Sequence, residues 1–387
     1  MIAPLVLTPL NQVALLAAFR ALPIATYEVV SGHSSAGRRF RAALAYGLLL
    51  LGNVYAGNAA KLGWCLLGSA YYLACACAVP AAARALRARV ISRAALFIVA
   101  TACCLVLPGL LMPGIAVGLF LVVGWELLLS AYSYCCEVSA EPFDPGLSAC
   151  LFFLLVNPAL NYTNRGTSVR MLPAASRSAI KRAALGVLLL FASLCVPGVE
   201  LALLRANAAF PRAATSLAVV ALGGLRLVGL YAAHSGLAHM QLGLLRQTGY
   251  AAPERYRKPF LARNPSDFWR RWNTYVGEWL RRYVFIPSVE RLKPVQHARS
   301  ARLAALCVTL LASGLLHDAF AYASQRVVTT RALEFFAASG IAMLAWFAAA
   351  RLRRQLFSGA RGSELTLRFT SRLSLWAALV GACALWG

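Results

Sequence analysis

Leu303-Ala304-Ala305-Leu306-Cys307-Val308-Thr309-Leu310-Leu311-Ala312-Ser313-Gly314-Leu315-Leu316-His317-Asp318-Ala319-Phe320-Ala321-Tyr322-Ala323 is an apolar run in the middle of a basic chain. It is long enough to cross a bilayer, which takes roughly 20 residues of helix. It also carries an imidazole well inside its length. An ionisable side chain within a membrane span is costly and is a candidate functional group for that reason; the alternative is a hydrogen-bonded structural histidine facing a helix bundle. Upstream of the run, from Arg246 to Arg302, the chain is polar, aromatic and basic, with twelve Lys or Arg against four acids in 254–302.

Similar apolar runs recur along the 387 residues, of which 60% are hydrophobic and 13% charged. A soluble domain carries about 25% charged residues, so lipid is the expected solvent. The runs cover 5–30 (interrupted by Pro9 and Pro23), 42–56, 62–83, 94–111, 115–134, 183–204, 213–233, 303–323, 333–350 and 373–386. Residues 147–160 are apolar but short for a span, which suggests a re-entrant or tilted half-helix. The expectation is an all-α multi-pass membrane protein with about 9–11 transmembrane or re-entrant helices, forming a single membrane domain over 1–387. Residues 1–19 are apolar and lack a basic leader, which reads as an uncleaved first segment, with a removed signal peptide as the other option.

The formal net charge of +25 comes almost entirely from arginine. The basic residues sit in short clusters between apolar runs: Arg38, Arg39 and Arg41; Arg84, Arg87, Arg89 and Arg93; Arg165, Arg170, Arg177, Lys181 and Arg182. Clusters so placed point to cytoplasmic loops and to membrane lipids as partners, not to nucleic acid. The eleven cysteines include no C-x-x-C pair and lie mostly within apolar runs, where they act as small packing residues. His234 and His239 are five apart, not the four of a helical metal pair, so no metal site is expected. Glu126, an intramembrane acid, is expected to hydrogen-bond or to pair with an arginine such as Arg226.

Between Asn264 and Pro287 the chain reads Asn264-Pro265-Ser266-Asp267-Phe268-Trp269-Arg270-Arg271-Trp272-Asn273, then Trp279-Leu280-Arg281-Arg282-Tyr283. Pro265 with Ser266 or Asp267 is a start signal and Pro287 a stop, predicting one helix of about five turns. Phe268, Trp272, Tyr275, Trp279 and Tyr283 would share a face, with Arg270 and Arg281 opposite. By periodicity alone this is an amphipathic helix at the headgroup level.

From roughly Leu230 to Phe320 the sequence resembles the membrane-bound O-acyltransferases. The resemblance is carried by Gly249-Tyr250, Pro253-Glu254, Tyr256, Pro259-Phe260, Ser266 to Asn273, and Trp279 to Pro287. Ser313, Gly314 and His317 then follow, the histidine 44 residues after Asn273. The resemblance implies a catalytic core over 230–320, helices around a central tunnel, and transfer of an acyl group from a thioester to a hydroxyl. His317 matches the family's catalytic histidine, whose neutral imidazole would take the proton of the attacking alcohol. Asn273 matches the second site position. That position is histidine in many polysaccharide-modifying members and asparagine in sterol, diacylglycerol and wax-synthase-like members, so a lipid-like or small alcohol acceptor is favoured. An amide cannot act as a base, but it can orient a reactant or stabilise an oxyanion.

Trp269, Trp272, Trp279 and Ser313 are expected to contact substrate, with packing as the alternative role. Arg270 and Arg271, with Arg281 and Arg282, would meet the phosphates of acyl-CoA or else lipid headgroups. No permanently bound cofactor is implied; acyl-CoA or another acyl thioester is the co-substrate, and the hydroxyl acceptor is a lipid alcohol or a glycan. Asp318 points about 100° from His317 on a helix and is not expected to be its partner. High alanine and arginine suggest a bacterial chain in the inner membrane. The contrasting readings are acetylation of a cell-surface polysaccharide and a non-catalytic lipid-binding or transport protein.

Overall fold

The computed structural model describes residues 59–111, 115–140, 146–156, 170–171, 177–208, 215–247, 250–251, 253–295 and 297–356. The spans expected over 5–30, 42–56 and 373–386 lie outside these residues. The described chain is helical. It runs through α1 (Ala59–Arg87), α2 (Arg93–Thr101), α3 (Leu107–Leu111), α4 (Ile115–Ala140), α5 (Gly146–Leu151), α6 (Arg177–Ala208) and α7 (Thr215–Gln247). Then come the short α8 (Pro265–Arg271), α9 (Thr274–Leu280) and α10 (Ile286–Leu292), followed by the long α11 (Ala298–Gln325) and α12 (Arg331–Leu356). Among the described residues the β pairing is two residues long, Arg170 opposite Ala251 and Met171 opposite Tyr250, antiparallel.

Five helical stretches among the described residues are long and apolar enough to cross a bilayer: Leu66–Arg87, Arg93–Leu110, Ala179–Leu203, Ala298–Ser324 and Arg331–Leu352. The protein is therefore an integral multi-pass membrane protein. Leu67, Ile98, Leu188, Leu315 and Ile341, all on these stretches, are exposed and face outward, as expected where lipid tails replace water.

The described residues fall into two compact units. One lies within Met1–Cys195, Ala232–Pro253 and Ala323–Gln325; the other lies within Val196–Tyr231, Glu254–Tyr322 and Arg326–Gly387. In the first, Val79, Ala83, Leu96, Tyr134, Cys135, Cys150 and Phe153 form a core where α1, α2, α4, α5 and the π-helical turn after α5 meet. Between α2 and α3 the chain opens into a π-helical turn, Ala102–Val106, and such a turn disturbs the regular helical hydrogen bonds. The Tyr71 hydroxyl donates to the Cys103 carbonyl at 2.6 Å and the Tyr72 hydroxyl to that of Cys104 at 3.3 Å, so the turn is satisfied from the neighbouring helix. Arg87 donates from Nη2 to the Val138 carbonyl at 2.7 Å, tying the end of α1 to α4.

The second unit contains α8 to α12 with the adjoining parts of α6 and α7. Leu227 of α7 packs with Ala262 and Phe268, and Leu310 of α11 packs with Phe336 and Met343 of α12. Arg226 of α7 makes an ion pair with Glu200 of α6, its Nε lying 2.9 Å from Oε1. The partner suggested for Arg226 by the sequence, Glu126, belongs to the first unit.

The single five-turn helix expected from Pro265 to Pro287 is not formed. Helix α8 ends at Arg271, Trp272 turns to extended backbone, and Asn273 takes a left-handed conformation (φ 36°, ψ 66°) before α9 begins. A π-helical turn, Arg281–Phe285, leads from α9 into α10. Pro287 comes just after that π-helical turn, within helical backbone that continues to Leu292, so it does not stop the helix. The face assignments made for one continuous helix therefore hold only within each short piece.

Candidate active site

Helix α11 and the junction between α8 and α9 carry the residues singled out by sequence, and both belong to the second unit. On α11, His317 is half-buried. Its Nδ1 lies 2.7 Å from the backbone carbonyl of Ser313, one turn back. A carbonyl only accepts, so Nδ1 carries the hydrogen and the neutral ring bears its lone pair on Nε2. Ser313 itself is 4% exposed, and it is its backbone carbonyl that orients the imidazole.

The face of the His317 ring lies against Phe336 of α12, centroids 5.0 Å apart at 43°. Two neighbours of His317 in sequence hold α12 there. A Cβ added to Gly314 would stand 2.6 Å from the Cα of Leu333, so only glycine permits the two backbones to meet at this point. Asp318 spends its carboxylate on the start of α12: the Ala332 N–H donates to Oδ1 at 3.0 Å and the Leu333 N–H to Oδ2 at 2.9 Å. Helix N-termini leave such donors without partners, and a carboxylate there also suits the helix dipole. Asp318 thus turns away from the imidazole and acts as a cap supplied by another helix.

Trp269 of α8 joins this wall. Its ring lies 5.4 Å from Phe336 and 6.3 Å from Phe335, and 5.3 Å from Phe268 of its own helix. Phe268, 2% exposed, stacks on Trp272 at 5.4 Å. Trp272 in turn meets Tyr256 at 5.5 Å and Tyr231 of α7 at 6.0 Å. An unbroken series of rings therefore connects His317 to the residue next to Asn273. Trp279 is buried on α9, with its ring 5.3 Å from that of Tyr283.

The start of α8 is made by local chemistry. Asn264 caps it, accepting from the Asp267 N–H at 2.8 Å, and Pro265 occupies its first turn. Asp267 accepts from the Arg263 N–H at 3.0 Å and pairs with Arg271 (Nε to Oδ2, 3.0 Å) and more loosely with Arg270 (3.6 Å). Burial works against its charge, but the Arg263 amide and the Arg271 guanidinium outweigh that and hold its carboxyl below the usual range. Arg281 makes a two-pronged pair with Glu278, both contacts at 2.7 Å. Of the predicted phosphate-binding arginines, Arg270, Arg271 and Arg281 are thus already engaged with carboxylates, although Arg270 keeps 73% of its side chain exposed.

Asn273 shows the strained backbone of the site. Left-handed φ is uncommon outside glycine, with asparagine among the residues that tolerate it. Its Oδ1 is buried and makes no hydrogen bond among the described residues. The junction is met by the segment Glu254–Arg257, which sequence reading had not singled out beyond the resemblance. Arg255, 8% exposed, lies there with its guanidinium 4.9 Å from the centre of the Tyr275 ring. A buried arginine in an otherwise solvent-like stretch leaves no periodic signal, so it was not legible in advance. Among the described residues no group of three or more His, Cys, Asp or Glu side chains is placed to hold a metal ion.

Residues 208–361, from the end of α6 to just past α12, match the family described as MBOAT, membrane-bound O-acyltransferase family. Over this segment the chain is similar to the membrane-bound O-acyltransferases. Among its relatives, a probable alginate O-acetylase of Pseudomonas syringae pv. tomato is 32% identical over 90 residues, 23% of this chain and 17% of the relative. A teichoic acid D-alanyltransferase of Bacillus subtilis is 36% identical over 55 residues, 14% of each chain. A probable long-chain-alcohol O-fatty-acyltransferase of Arabidopsis thaliana is 33% identical over 98 residues, 25% of this chain and 29% of that one. The chain spans about a sixth of the length of the alginate relatives it matches.

Proposed function

We propose that the protein is a membrane-embedded O-acyltransferase that moves an acyl group from a thioester, acyl-CoA or a similar donor, to a hydroxyl. His317 is the general base. The acceptor hydroxyl attacks the thioester carbonyl while Nε2 takes its proton; the tetrahedral intermediate then expels the thiolate, which recovers that proton from the imidazolium. The observation that carries this reading is the 2.7 Å contact from Nδ1 to the Ser313 carbonyl, because it fixes the tautomer the step needs. Asn273 orients a reactant or steadies the developing oxyanion, and Trp269 and Trp272 shape the approach. Arg270 and Arg271 meet the donor's phosphates or lipid headgroups. The names of the relatives, two acyl transferases and an acetylase, support the reaction class.

The acceptor is a lipid alcohol or a glycan, and the membrane a bacterial inner membrane. Asparagine at position 273 favours the first acceptor. Similarity to an alginate O-acetylase and a teichoic acid D-alanyltransferase supports the second, acetylation of a cell-surface polymer. Protein in lipid nanodiscs, given labelled acetyl-CoA or palmitoyl-CoA with hexadecanol, is expected to cleave thioester. His317→Ala is expected to reduce that cleavage about 10²–10⁴-fold while the protein still inserts. Full activity of the variant ends the role of His317 as base; absence of thioester cleavage by the wild type leaves a non-catalytic membrane protein. Mass spectrometry of lipids and glycans from cells with and without the protein assigns the acceptor.

A further inference from the structure

The left-handed turn at Asn273 is held from outside its own helices. The Arg257 N–H donates to the Arg271 carbonyl at 3.0 Å, and the Thr274 N–H donates to the Arg255 carbonyl at 2.8 Å. The Thr274 hydroxyl donates to the Glu254 carbonyl at 2.9 Å. An extended strap, Glu254–Arg257, is thus bonded on both sides of the kink, at the last residue of α8 and the first of α9. The strap is anchored by Arg255, buried with its guanidinium over Tyr275, the second residue of α9. A residue in a sparsely populated conformation persists only where its surroundings over-determine it. Here three hydrogen bonds and a buried cation do so. Left to propensity, 265–285 would continue as one helix, since nothing between Arg271 and Thr274 breaks it; the residues there are Trp272 and Asn273.

We propose that Thr274 and Arg255 are positioning residues that, through the 254–257 strap, lock Asn273 in its left-handed turn and so aim its buried amide at the reacting groups. The inference rests on the acyl-transfer reading for its catalytic consequence, and on the hydrogen bonds alone for its structural one. It gives the two halves of the segment, Pro253 to Phe260 and Ser266 to Asn273, a common purpose: the first clamps the turn that presents the last residue of the second.

Thr274→Val removes the hydroxyl bond and keeps the N–H bond, the volume and the β-branch. In nanodiscs with palmitoyl-CoA and hexadecanol, kcat is expected to fall about ten- to a hundredfold, as a misplaced group far from a bond being made costs, with KM for the thioester little changed. Thr274→Ser, which keeps the hydroxyl, is expected to restore wild-type kcat. Arg255→Met, which keeps bulk and loses the charge, is expected to behave as Thr274→Val does. A cryo-EM structure of Thr274→Val is expected to show residue 273 leaving positive φ or its amide displaced. The proposal is overturned if Asn273 keeps its conformation and side-chain position in that structure, or if Thr274→Val lowers KM and kcat no more than a surface substitution. The structural arm needs no substrate, and the acyl-transfer reading is judged separately by His317→Ala in the same assay. A collapse of acyl transfer as the reading, with the turn still released by Thr274→Val, is therefore recognisable as such.

Discussion

Asn273 lets backbone strain and side-chain chemistry be separated at one position. At φ 36° an alanine meets a cost of about 1–2 kcal/mol that glycine does not. Asn273→Ala is therefore expected to lower thermal stability, and Asn273→Gly to leave it near wild type, in a nanodisc melting experiment. If the amide acts in transfer, both variants lose activity alike, so activity follows the amide while stability follows φ. Asp267 offers a second test at this scale. Its carboxyl is held below the ordinary value of about 3.9. A depressed folded pKa contributes stability that is complete above the unfolded value and is lost as pH falls through the folded one. The wild type should therefore lose stability below about pH 4, and Asp267→Asn should flatten that acid limb while lowering stability at neutral pH. An unchanged acid limb in the variant would place the sensitivity elsewhere.

At the scale of the element, the decisive contact is that of α11 with the start of α12. Gly314 admits the Leu333 backbone and Asp318 caps Ala332 and Leu333. Together they set Phe336 against His317. Gly314→Ala places a methyl where the nearest atom is backbone, which cannot give way as a flexible side chain can. It is expected to cost about 1–3 kcal/mol and to reduce transfer by moving Phe336. Asp318→Ala leaves two N–H groups without their carboxylate at a cost of about 1–3 kcal/mol, while Asp318→Asn recovers part of it through the remaining carbonyl. Melting temperature and acyl transfer measured on the same samples check both.

The position of α11 was legible in the sequence because an apolar run of that length has one use in a basic, alanine-rich chain. The shortness of α5 was legible for the same reason, its run being too brief to span. The break at Trp272–Asn273 was not. Propensity and the period of aromatic residues both favour one helix there, and the winning influence comes from the upstream segment Glu254–Arg257, which no local pattern reveals. The role of Asp318 was half legible. Helix geometry turns it from His317, but its target, the start of another helix, is a tertiary fact.

For the whole molecule, charge and apolar surface together define the setting. Apolar side chains stand exposed on the spanning helices, while a net charge of +25 is gathered in the stretches between apolar runs. Much of that charge lies where Arg257, Lys258, Arg263, Arg270, Arg281, Arg291, Lys293, Arg299 and Arg302 are exposed around α8 to α11. Acids answer only part of it, as the pairs of Asp267 and Glu278 show. Near an anionic leaflet each lysine or arginine gains about 1 kcal/mol, an effect that falls off within a Debye length. The protein is therefore expected to melt a few degrees higher in nanodiscs containing phosphatidylglycerol than in phosphatidylcholine alone, since about 1 kcal/mol moves Tm by roughly 2–4 °C at domain size. Raising salt from about 0.1 M to about 1 M shortens the Debye length from about 10 Å to about 3 Å, and the difference between the two lipids should shrink with it. A lipid difference that survives high salt would point to packing of acyl chains against the exposed leucines and valines, and would assign the arginines to another partner.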